Sequence, residues 1–107
     1  MKLVLAIVSN DDSSEVSSSL TKGGYQVTKL ATTGGFLMSG NTTFISGVSD
    51  DKVDDVISII SKHSSRRTQI MPSTSSMDIG MYSSFPVEVT VGGSTIFILN
   101  VDRFEKV

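Results

Sequence analysis

The chain carries one histidine, His63, next to Lys62, and several of its 11 acidic residues fall in pairs at Asp11-Asp12, Asp50-Asp51 and Asp54-Asp55. Paired carboxylates can do acid–base work or hold a divalent cation. Here each pair falls where a helix is expected to begin, and the positive end of the helix dipole accounts for acids there without any chemistry. Solvated caps are the expectation, and no metal site. A lone histidine at a helix C-terminus reads as a surface cap residue. Serines are abundant, but a nucleophilic serine needs a base and an orienting group, and His63 sits in no such context. With no cysteine in the chain, thiolate chemistry, disulfides and cysteine-ligated metals are excluded. Arg66-Arg67 can grip phosphate or solubilise a loop, and the second reading is expected. Met71, Met77 and Met81 suit an adaptable contact surface or loop packing.

One stretch is different. Lys29-Leu30-Ala31-Thr32-Thr33-Gly34-Gly35-Phe36-Leu37 runs into Gly40-Asn41-Thr42-Thr43. Glycines let a backbone approach a ligand closely, and exposed amides with the hydroxyls of Thr28, Thr32 or Thr33 can meet phosphate oxygens. Phe36 offers a stacking face, and Asn41 can both donate and accept, as an adenine edge requires. A hairpin turn explains the glycines, but not a large aromatic and a leucine beside them.

The elements that would position these residues follow from periodicity. Lys2 to Ser9 is a continuous apolar run expected as a central strand, and it is too short for a secretory signal. Asn10, Asp11 and Asp12 open a helix, Asp12 and Glu15 have capping-box spacing, and Gly23-Gly24 ends it. Tyr25 to Thr33 alternates as a strand, with Tyr25, Val27 and Ala31 on one face and Gln26, Thr28, Leu30 and Thr32 on the other. A second strand over about 41–48 completes a hairpin. Ser49 is the expected N-cap of a helix whose Val53, Val56, Ile57 and Ile60 form one apolar stripe. Residues 64–85 show no period and read as a long loop, a length that is usually functional or disordered. Pro86 to Val91 and Thr95 to Val101 read as strands of a hairpin around Gly92-Gly93.

At 107 residues, 38% hydrophobic and 19% charged, the chain is expected to fold as a single domain spanning 1–107. The element order is that of an α+β, ferredoxin-like βαββαβ fold with an extra C-terminal hairpin strand. Helices would cover one face of its sheet, leaving the other for self-association. A net charge of -2 and a pI near 5.1 argue against a nucleic-acid partner. No apolar run reaches the roughly 20 residues of a membrane span, so a cytoplasmic protein with no membrane partner is the default.

The segment from Thr28 to Gly47, above all KLATTGGFL with GNTTF, resembles the cyclic-di-AMP receptor family of PII-like signal-transduction proteins. The likeness extends over nearly the whole chain, through the N-terminal AIV strand, the VDD helix and the late PVEVTVGG segment. It implies a PII-like homotrimer with one cyclic dinucleotide in each cleft between subunits, loops that reorganise on binding, and no enzymatic activity or resident cofactor. Carried across residue by residue, it implies ligand contacts at Gln26, Thr28, Gly35, Phe36, Leu37, Asn41 and Gly47, with Phe97 in addition. Phe36 and Leu37 would flank a base, Asn41 and Gly47 would meet its polar edge, and Thr28 with the Gly35 region would approach phosphate.

The chain departs from the family in three places. Gln26 stands where the family usually has arginine, which removes a cation that could meet phosphate. The usual loop sequence is replaced over 76–89, and the usual glutamine-phenylalanine tail has become Lys106-Val107. Lys29 and Lys106 are the candidates to restore charge. A trimer that only binds another protein, through its Met-rich loop and an unidentified partner, is the first alternative. The second is a small ferredoxin-like enzyme built on paired acids. An RRM-like RNA binder would need exposed aromatics on its middle strands and a basic face.

Overall fold

A computed structural model describes residues 1–30, 40–72 and 86–107. Strand β1 (Lys2–Ser9) runs directly into helix α1 (Asn10–Lys22). Ser9, not Asp12, caps that helix, its Oγ accepting from the Asp11 amide at 3.2 Å. The helix ends in a Schellman motif: Tyr25 N donates to Leu20 O and Gly24 N to Thr21 O, both at 3.0 Å, with Gly24 at φ +91°.

Strand β2 (Thr28–Leu30) is shorter than expected at its start, and Ala31 to Thr33 lie outside the described residues. Strand β3 (Asn41–Val48) has the bounds its pattern predicts, and the two pair antiparallel. Ser49 leads into a 3-10 turn (Asp50–Lys52) before helix α2 (Val53–His63). Ser49 makes no capping bond to the backbone; its Oγ donates to Asp51 Oδ1 at 2.6 Å.

Two expectations beyond α2 are corrected. The long loop is not structureless throughout, because Arg67–Pro72 forms strand β4. Strand β5 (Pro86–Val91) pairs with β4 and not with β6 (Ser94–Asn100), which instead joins the far edge of the main sheet against β1. Gly92-Gly93 is therefore a crossing between two sheets, not a hairpin turn. Positive φ values of +81° and +87° let the chain change direction there whichever strand it enters next.

The main sheet has the order β2-β3-β1-β6, all neighbours antiparallel, compatible with a ferredoxin-like fold. The expected extra C-terminal hairpin strand is not seen among the described residues; β4 and β5 instead form a separate two-stranded ribbon before the last sheet strand. Alternation divides the sheet cleanly. Val4, Ala6 and Val8 from β1 and Phe44 and Val48 from β3 are buried against Val16 and Leu20 of α1 and Val56 and Ile60 of α2. Ile60 also anchors the end of α2, its carbonyl accepting the hydroxyl of the buried Ser64 at 2.5 Å. Among the described residues, no helix is long and apolar enough to cross a membrane.

Candidate ligand cleft

Four of the residues implied as ligand contacts share one side of the sheet. Thr28 pairs with Ile45, Phe97 with Leu5, and Gly47 with Leu3, while Asn41 and Gly47 lie an even number of residues apart on β3. Cross-strand partners face the same way, so Thr28, Asn41, Gly47 and Phe97 all sit on the face opposite the helices. Gly35, Phe36 and Leu37 lie outside the described residues. That face is apolar. Leu3, Leu5, Ile7 and Ile45 are only half-buried, and Leu30, Phe97 and Leu99 are 39%, 52% and 46% exposed. For a chain this small, so much open apolar surface marks a contact site.

At one end of β3 lies a cleft of about 470 Å³, lined by Gly24, Tyr25, Gln26, Gly47, Ser49 and Lys52 among others. Its size falls in the range of small-molecule sites. Sequence reasoning chose two of its residues, Gln26 and Gly47, and missed Lys52. Gly47 has no positive φ, and a Cβ there would meet nothing nearer than Met1 Sδ at 3.9 Å. Neither backbone geometry nor packing in the chain calls for glycine at this point in a strand, where glycine costs stability.

The acids around this cleft are all exposed, and three of them have partners. Asp50 is 2.9 Å from the N-terminal ammonium of Met1, which holds its carboxyl below the usual range. The Ser49 hydroxyl lowers Asp51 in the same way. Tyr25 donates its phenol hydrogen to Asp55 at 2.5 Å, and that hydrogen bond pushes the phenol above its ordinary value. Asp50, Asp51, Asp54 and Asp55 face solvent at the start of α2 rather than converging on a pocket. Among the described residues, no three His, Cys, Asp or Glu side chains gather as a metal site would require.

The other end of β3 holds a smaller cleft of about 210 Å³, where Asn41 meets Ser9, Thr95, Arg66 and Gly93. Asn41 and Gly47 lie six positions apart, about 20 Å along a strand. Asn41 thus borders one cleft and Gln26 with Gly47 the other, at opposite ends of β3. The turn before Asn41 is tied to α1: Asn10 N donates to Gly40 O at 2.7 Å, and the Thr42 hydroxyl donates to Asn10 Oδ1 at 2.5 Å.

Four polar residues differ from expectation. Asp12 is not a solvated cap but is 4% exposed, and it accepts from both guanidinium nitrogens of Arg67, at 2.8 and 3.3 Å. Arg67 therefore does not serve merely to solubilise a loop; it clamps the root of the ribbon to the first turn of α1, and the Asp12 hydrogen bond holds its guanidinium more firmly protonated. Only a contact between residues 55 positions apart reveals this, so no local pattern could have signalled it. His63 is half-buried, with Nδ1 3.2 Å from Glu15 Oε1, and so joins α2 to α1. Lys29 lies opposite Phe44, on the helix face, and lines a groove with Ser13, Ser14, Ser17 and Ser18. It cannot restore charge to the open face.

A crystal structure of a functionally unknown protein from Pediococcus pentosaceus is similar to this chain at 40% sequence identity and a TM-score of 0.78, covering 99% of this chain and 96% of the other. The sequence profile described as cyclic-di-AMP receptor matches residues 1–107, the full length of the chain. With its glycine-floored cleft, its Asn41 turn and its ferredoxin-compatible sheet, the chain belongs to the cyclic-di-AMP receptor family.

Proposed function

We propose that this chain is a non-enzymatic signalling receptor that binds cyclic-di-AMP, or a related adenine nucleotide, where subunits of a homotrimer meet. Gly47 carries this reading: it is a strand residue whose missing side chain serves nothing within the chain and keeps a cleft floor open. Thr28, Asn41 and Phe97 on the same face supply a hydroxyl, an amide and an aromatic surface, the groups an adenine and its phosphodiester would use. Three copies meeting through the open faces would cover Leu5, Phe97 and Leu99 and bring one copy's cleft against its neighbour. Gly35, Phe36 and Leu37 complete the ligand contacts in this reading, and rearrangement over 64–85 passes the signal to a protein partner. The exposed acids before α2 lend no support to an acid–base enzyme.

Gln26 favours a second reading, a trimer that binds only protein, because the cleft lacks the cation the family usually has at that position. Titration calorimetry with cyclic-di-AMP, with ATP and cyclic-di-GMP as controls, decides between them. Saturable binding near roughly one ligand per subunit is expected, weakened about tenfold by Asn41→Ala, the worth of one hydrogen bond of about 1.4 kcal/mol. Gly47→Val is expected to abolish binding while leaving the melting temperature unchanged or higher, since valine suits a strand. Absence of heat with the unaltered protein at high micromolar ligand would favour the protein-binding trimer.

The assembly has its own test. Sedimentation of the wild-type protein as a trimer, and of Phe97→Glu as a folded monomer, is the expected pair of results. A wild-type protein that sediments as a monomer would remove the subunit-interface site.

A further inference from the structure

We infer that Lys52 provides the cationic contact to a phosphodiester in the Gln26–Gly47 cleft, replacing from the start of α2 the charge that position 26 lacks. This inference depends on the receptor reading above. Cyclic-di-AMP carries two anionic phosphodiesters, and Gln26 can offer them only neutral hydrogen bonds. Lys52 is the one charged side chain lining that cleft among the described residues. It also forms no ion pair within 4.0 Å among them. Of the neighbouring acids, Asp50 is paired with the Met1 ammonium, while Asp51 and Asp55 accept from the neutral hydroxyls of Ser49 and Tyr25 and keep their charge. Asp51 feels the Lys52 charge through space, and Asp51, Asp54 and Asp55 are all exposed, where water screens them.

Lys52 closes the 3-10 turn (Asp50–Lys52) that runs straight into α2, and its side chain makes no hydrogen bond to the helix there. The alternatives sit elsewhere. Lys29 faces the helices, Arg66 lies in the Asn41 cleft at the other end of β3, and Lys106 in the tail does not line the Gln26–Gly47 cleft.

The test is calorimetric titration of cyclic-di-AMP onto wild type, Lys52→Gln, Lys52→Arg and Arg66→Gln, each at low and high salt, with melting temperatures alongside. Losing one charge-assisted contact should weaken Lys52→Gln about 10- to 100-fold and flatten its salt dependence. Lys52→Arg should keep most of the affinity, and Arg66→Gln should change it less than Lys52→Gln. The melting temperature of Lys52→Gln should hold, because Lys52 is exposed and forms no ion pair within 4.0 Å among the described residues. Wild-type affinity and salt slope in Lys52→Gln would overturn the inference while leaving the receptor reading intact. So would a loss of affinity confined to Arg66→Gln, or one in Lys52→Gln that tracks a fallen melting temperature. Failure of the wild-type protein to bind would overturn the receptor reading and the inference together.

Discussion

Ile60→Ala is expected to lower the unfolding free energy by about 2–5 kcal/mol, measured by urea denaturation, the usual cost of truncating a buried isoleucine. Ile60 is 1% exposed, and its side chain belongs to the core that joins α2 to α1 and the sheet. Three elements converge on it, so a cavity there cannot close by moving one loop. The midpoint should fall with little change in slope, as befits lost packing in a native state of unchanged extent. Ile57→Ala on the same helix, at a half-buried position, is the control and should cost clearly less. Equal losses at the two positions would mean that α2 docks through a different stripe. An effect this large matters to the proposed ligand site because Lys52 immediately precedes α2, so the core that holds α2 also steadies one wall of the cleft.

Gly92→Ala is expected to destabilise by a comparable amount, about 2–5 kcal/mol, of which about 1–2 is the left-handed backbone and about 1–3 the overpacking. Gly92 has φ +81°, and a Cβ would stand 2.5 Å from Ser65 O, 2.6 Å from Arg67 Nη1 and 3.3 Å from Asp12 Oδ2. Any added carbon must therefore push into the clamp that joins the ribbon to α1. Gly24→Ala supplies the comparison: φ is +91°, but no atom lies within 4 Å of its Cβ position, so only the backbone term of about 1–2 kcal/mol applies. Hydrogen exchange offers a readout specific to the clamp. In Gly92→Ala the β4–β5 amides should lose protection ahead of those in β1 and β3, whereas Gly24→Ala should spare the ribbon. Equal effects of the two substitutions would show that the Arg67 contact does not hold the ribbon's root.

How much of this was legible in the residues varies by element. Strand β3 follows its predicted bounds, and of the predicted stripe on α2, Val56 and Ile60 are buried and Val53 packs against the core, while Ile59 takes the place expected of Ile57. The family was legible for a different reason: KLATTGGFL with GNTTF is a long resemblance that needs no geometry. Strand β4 was not, since its Arg67–Pro72 residues have no apolar alternation and become a strand only by pairing with β5. The partner of β6 was equally hidden. Two apolar strands around Gly-Gly suggest a hairpin, yet β6 gains more by extending the main sheet beside β1 and placing Ile96 against the core.

By itself, then, the sequence determined the helices, the presence of the first three strands, the absence of thiol chemistry and the membership of the chain in a recognisable family. Those depend on local periodicity and composition. Tertiary structure alone decided that β4 and β5 form a separate ribbon, that Asp12 is buried under Arg67, that Lys29 turns away from the open face and that Lys52 borders the cleft with Gln26 and Gly47. Each of these is a choice of partner across tens of residues. Such choices are settled by which pairing buries the most apolar surface and leaves the fewest charges unpaired over the whole fold, a comparison that no short stretch of chain contains.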